Sequence, residues 1–96
     1  MLFRSDIIQP DICACGGLLE MRKIAAIAEA HYVNVAPHNP MGPLATAVNL
    51  HFAAATPNFK ILEYRLPGEA DWVDEPYLPV DGHLELRDTQ IGRAHV

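Results

Sequence analysis

At 96 residues the chain has room for one hydrophobic core and not two. Half of its residues are apolar and 20% are charged, a balance that excludes a disordered segment, and a formal charge of -5 gives no basic stripe for phosphates, which excludes nucleic acid as a partner. Arg22, Lys23, Glu29, Asn49 and His51 interrupt every apolar stretch before it reaches bilayer length, and residues 1–10 lack the pattern of a signal peptide. No membrane contact is expected, and the cytoplasm is the expected compartment.

Ile7-Ile8-Gln9 reads as a short strand, closed by Pro10-Asp11. Cys13 and Cys15 follow, one residue apart, which suits neither a structural disulfide nor a redox C-x-x-C pair, so both are expected as reduced thiols. After the break at Gly16-Gly17, Leu18, Met21, Ile24, Ala25 and Ala28 recur at helical spacing, with Glu20, Arg22, Lys23 and Glu29 off that stripe. Val33-Asn34-Val35-Ala36 is a second strand, ended by Pro37. Gly42-Pro43 marks the start of a second helix, apolar nearly all round, and Thr56-Pro57 stops it. Lys60 to Tyr64 supplies a third strand. Beyond it the alternation ends, and Asp81-Gly82 between Leu78-Pro79-Val80 and His83-Leu84-Glu85-Leu86 is a two-residue hairpin signal. Trp72 and Tyr77 are expected as packing anchors of this return.

Strict alternation of strand and helix with short connections implies an α/β architecture, a parallel sheet covered by helices, whose functional groups gather at the carboxyl ends of the strands. Asp11, His38 and Glu63 fall at those ends, 27 and 25 residues apart. Taken singly, each has a plainer reading. Asp11 is a cap for the next helix, His38 a loop histidine satisfying backbone groups, and Glu63 an ion-pair partner of Arg65 or Lys60. The five histidines are scattered and no zinc-like ligand spacing occurs.

Taken together, Gln9-Pro10-Asp11 with Gly16-Gly17, Ala36-Pro37-His38-Asn39-Pro40 with Gly42-Pro43, and Ile61-Leu62-Glu63-Tyr64 resemble the mandelate racemase branch of the enolase superfamily, and within it the sugar-acid dehydratases of galactonate type. The resemblance covers roughly residues 5–90. It implies that residues 1–65 are the last three strands, the sixth to eighth, of a modified (β/α) TIM-type barrel, and that residues 66–90 return through a hairpin to an α+β capping domain. Residues 91–96 are expected to be a non-native tail, and the neighbours of the open sheet edges are expected in sequence beyond this chain.

By the same resemblance, His38 is the general base that takes the proton next to the substrate carboxylate. Asp11 orients that histidine and favours its protonated form, and Glu63 stabilises the enolate-like transition state. Asn39, beside His38, is a candidate contact for a substrate hydroxyl. The resemblance further implies Mg²⁺ held by carboxylates on earlier strands, none of them in this segment, a small-molecule sugar acid as substrate, and a homo-oligomer for the whole enzyme. The chemistry explains the cofactor: a proton alpha to a carboxylate is too weakly acidic for imidazole unless the developing dianion is stabilised. Loss of water then gives a 2-keto-3-deoxy sugar acid, the leaving hydroxyl being protonated by an acid elsewhere or by His38 acting twice. Two alternatives stay open: a racemase, epimerase or cycloisomerase built on the same half-reaction, and a noncatalytic α/β interaction module in which Asp11 and His38 are structural.

Overall fold

Ile7–Ile8 (β1) and Asn34–Val35 (β2) pair in parallel in the computed structural model, which describes residues 5–68, 73–89 and 91. Between them lies the helix Leu18–Ala30 (α1), and β2 is followed by the helix Pro43–Ala54 (α2). Trp72, expected as an anchor, and the residues from 92 onward, His95 among them, lie outside the described residues. Among the described residues, no helix is long and apolar enough to cross a membrane.

The apolar stripe of α1 buries Met21, Ala25 and Ala28, spaced four and three residues apart, against Ile12, Val35 and Phe52. Both helices begin at a glycine, Gly17 and Gly42, with φ of 103° and 116° and ψ near 180°. Side chains are excluded from that conformation, which turns the chain from strand end to helix, so the two glycines are structural necessities. Pro43 opens α2 at a position where its missing N–H is not needed.

The chain leaves α1 through Tyr32, whose φ of 59° lies in the left-handed region, with its N–H donating to Glu29 O and the Val33 N–H donating to Ala28 O. Tyr32 is 96% exposed and loses almost no packing if removed. Tyr32→Gly is therefore expected to raise stability by about 1 kcal/mol, since the left-handed strain of a side chain exceeds the extra entropy of glycine. A higher urea midpoint at unchanged slope would register it.

The sheet is short because its sequence withholds donors. The pairs Ile7↔Asn34 and Ile8↔Val35 set an offset of 27 residues, which an isolated parallel bridge at Asp11↔His38 continues. The third strand, expected over Lys60–Tyr64, is reduced to one bridge, Val35↔Phe59, held by Val35 N–H to Asn58 O and Lys60 N–H to Val35 O. The next donor on β2 would be Pro37, which has no N–H, so the ladder stops there. The hairpin likewise comes down to one antiparallel bridge, Val80↔His83, across Asp81 and Gly82, both at positive φ.

Helix α2 departs from its sequence pattern in an informative way. Its buried face carries Ala45, Thr46, Asn49 and Phe52, while Leu44 is exposed. Half of what it buries is polar, and Thr46 Oγ1 and Asn49 Nδ2 both meet Asn39 at the carboxyl end of the sheet.

Candidate active site

The constant offset of 27 residues between β1 and β2 places Asp11 beside His38 where both strands run out. His38 N–H donates to Pro10 O at 3.0 Å, which fixes the backbone of the pair, and His38 Nδ1 lies 3.0 Å from Asp11 Oδ2. Capping and contact with the histidine are compatible for Asp11, because its two oxygens divide the work. Oδ1 accepts the Cys13 N–H at 2.8 Å and the Ala14 N–H at 3.2 Å, capping the turn that leads to α1, while Oδ2 faces the imidazole.

Electrostatics then set the tautomer. Desolvation pushes the Asp11 carboxyl up, but the Cys13 and Ala14 N–H groups together with the hydrogen bond and charge of His38 outweigh it and hold the carboxyl below its ordinary range. An ionised carboxylate has no proton to give, so His38 Nδ1–H is the donor and Nε2 keeps its lone pair. Nε2 lies 3.8 Å from Glu63 Oε1, and the His38 side chain is 48% exposed against 13% for Asp11. The arrangement is a carboxylate behind, an imidazole in the middle and a second carboxyl in front, with about half of the imidazole side chain exposed. The Cys13 thiol is pushed up by burial and by Asp11 and Cys15, which keeps it in the protonated, weakly nucleophilic form.

Because the folded carboxyl of Asp11 titrates below its unfolded value, its interactions add stability above about pH 4, and this is lost as pH falls through the lowered value. Asp11→Asn is expected to flatten that part of the acid-unfolding curve and to leave the curve above pH 5 nearly parallel to the wild type. Unfolding midpoints recorded from pH 2 to 7 would check it.

Glu63 approaches from the third strand, and among the described residues its ion-pair partner is His38 rather than Lys60 or Arg65. Its register follows from Val35↔Phe59, an offset of 24, which puts Glu63 opposite Asn39 and one step beyond His38. Asn39 was expected to meet a substrate hydroxyl. It is instead 2% exposed, its amide protons donate to Thr46 Oγ1 and Glu63 O, and its Oδ1 accepts from Asn49 Nδ2. No side-chain donor remains to face a substrate. Thr46 and Asn49 carried a signal in the sequence, since they lie three residues apart on the helix stripe that Phe52 continues, but an otherwise apolar helix hides it.

Among the described residues no group of three or more His, Cys, Asp or Glu side chains forms a cage for a metal ion. Asp11 spends both oxygens on Cys13, Ala14 and His38, and Glu63 Oε1 is taken by the Asn39 N–H at 2.7 Å. These residues therefore do not fit a Mg²⁺ site of their own, and the chemistry they can perform is proton transfer at His38 Nε2.

Comparison with known proteins shows what the chain is similar to. The family described as Enolase C-terminal domain-like matches residues 4–92. The chain is 43% identical over 84 residues to a D-xylonate dehydratase of Haloferax volcanii, covering 84% of this chain and 20% of that protein. It is 58% identical over 45 residues to a D-galactonate dehydratase of Verminephrobacter eiseniae, covering 47% of this chain and 12% of the relative. It therefore spans about a fifth or less of the length of these curated relatives. An enolase structure from Agrobacterium radiobacter, a candidate galactarate dehydratase with bound Na and L-malate, superposes with a TM-score of 0.83 at 61% identity, over 86% of this chain and 25% of that one. An enolase from Pantoea ananatis with bound D-gluconate and Mg superposes with a TM-score of 0.62 at 33% identity, over 67% of this chain and 16% of that one.

Proposed function

The chain belongs to the Enolase C-terminal domain-like family, and from that premise we propose that it supplies the proton-abstracting end of a sugar-acid dehydratase. The observation that carries this reading is the line formed by Asp11 Oδ2, His38 and Glu63 Oε1, with separations of 3.0 and 3.8 Å on the two ring nitrogens. The strand–helix alternation is then part of the family's barrel-type domain, whose catalytic groups sit at strand carboxyl ends.

His38 Nε2 takes the proton from the carbon that bears the substrate carboxylate, and the electron pair of that C–H bond moves into the carboxylate as an enolate. Asp11 balances the imidazolium that forms and keeps the ring from turning. The hydroxyl on the neighbouring carbon departs as the enolate collapses, and the proton held by His38 is available to make it water. The enol left behind tautomerises to a 2-keto-3-deoxy acid. Glu63 helps only while it carries a proton, since a bare carboxylate would repel the enolate. Mg²⁺ belongs to this proposal as a group bound by residues other than those described here, supported by the metal in the Pantoea ananatis structure.

The test is solvent exchange. An enzyme of the relatives' length carrying this segment, incubated in D₂O with xylonate, galactonate and gluconate, is expected to wash deuterium into the alpha position of one of them and to release its 2-keto-3-deoxy acid. Exchange without loss of water would favour a racemase or epimerase. Absence of both with every acid sugar would leave the noncatalytic module. The 96-residue chain by itself is expected to give no turnover, because it holds a base without the charge that makes the alpha proton acidic. Keto-acid release by this chain in a semicarbazide assay would contradict that.

A further inference from the structure

We propose that Asn39 is the positioning residue that locks the Glu63 carboxyl beside His38, so that base and acid are held by consecutive residues of one loop. This rests on the reading of His38 and Glu63 as the acting pair. Asn39 donates three bonds to its neighbours across the strand ends and into α2. Its N–H donates to Glu63 Oε1 at 2.7 Å, its Nδ2 donates to Glu63 O at 3.0 Å, and the same Nδ2 donates to Thr46 Oγ1 at 2.9 Å. The first two do what a sheet ladder would do had Pro37 not removed its donor. One anchors the carboxyl and the other anchors the backbone it hangs from.

The orientation of the amide is set by chemistry. Thr46 Oγ1 gives its only proton to Gly42 O at 3.1 Å, so toward Asn39 it can only accept. Glu63 O can only accept as well. The Asn39 NH₂ must therefore face these two, and its oxygen must face Asn49 Nδ2, which donates at 3.2 Å. An aspartate in this place would be the same size with an oxygen against two acceptors, and its repulsion would drive the Glu63 strand away from His38. The buried polar face of α2 thus acts as a gauge that spaces the third strand from the second.

The first test reads the wild-type contact without altering Asn39. In ¹⁵N spectra of this chain the Asn39 amide proton, donated to Glu63 Oε1 at 2.7 Å, is expected among the most downfield backbone signals and to move upfield in Glu63→Ala. A signal that ignores Glu63→Ala overturns the proposal, whatever the enzyme's activity proves to be. The second test is kinetic, in an enzyme of the relatives' length. Asn39→Asp is expected to lower kcat about 100-fold with KM within about threefold, the loss typical of a misplaced group. Combined with Glu63→Gln it is expected to cost no more than the worse single change. Thr46→Val should reproduce the defect in milder form and Thr46→Ser should restore it. Additive losses, or a loss confined to KM, overturn the proposal. A wild-type enzyme without alpha-proton exchange would sink the functional reading, and the amide signal would still decide the placement of Glu63.

Discussion

Replacing His38 by asparagine, in an enzyme of the relatives' length, is expected to lower alpha-proton exchange by about 10²–10⁴-fold while substrate binding changes little. Nε2 is the one ring nitrogen free to accept a proton, since Nδ1–H is committed to Asp11 Oδ2 at 3.0 Å. An asparagine side chain fills part of the ring's space but has no basic nitrogen, so it removes the proton acceptor and leaves the open face of the site. Substrate affinity, read by protection from proteolysis or by calorimetry, should stay within a few-fold. Retained exchange would take the base role away from His38.

Asp11→Asn is expected to be as damaging although it changes a single atom, with a loss of the order of 10⁴-fold by analogy with the serine-protease triad. The reason lies in the turn behind the site. Cys13 and Ala14 both point their N–H groups at Oδ1, so the oxygen of the new amide is drawn to that place and its NH₂ is left facing His38 Nδ1. Nδ1 must then accept, the ring proton moves to Nε2, and the lone pair that should take the alpha proton is gone. The capping bonds survive, so the fold should survive with them. A variant that unfolds, or one that keeps near-normal exchange, would show that Asp11 matters for some other reason.

Much of this site could be read before any coordinates were known, and what could not be read has physical causes. The spacing of Asp11 and His38 was legible because the offset of β1 and β2 is uniform at 27 residues, so strand ends stay side by side. Helix α1 was legible from Met21, Ala25 and Ala28, and both helix starts from glycines at turn positions. The place of Glu63 was legible only in outline. Its separation from His38 suggested a pair, whereas the offset of 24 set by Val35↔Phe59 matches it to Asn39. That register depends on Pro37 cutting the ladder and on side-chain bonds taking over, which periodicity does not reveal. Asn39 itself was misread because a polar residue beside a candidate base suggests substrate contact. Its burial follows from Thr46 and Asn49, polar positions on a helix whose composition reads as apolar.

The protonation state of the neutral His38 ring is the point on which the account turns, and ¹⁵N-labelled histidine reports it directly. The wild-type chain at a pH where His38 is neutral is expected to show protonated Nδ1 and bare Nε2, with the two exchanging roles in Asp11→Asn. A wild-type ring that carries its proton on Nε2, or a tautomer indifferent to Asp11→Asn, would contradict the account.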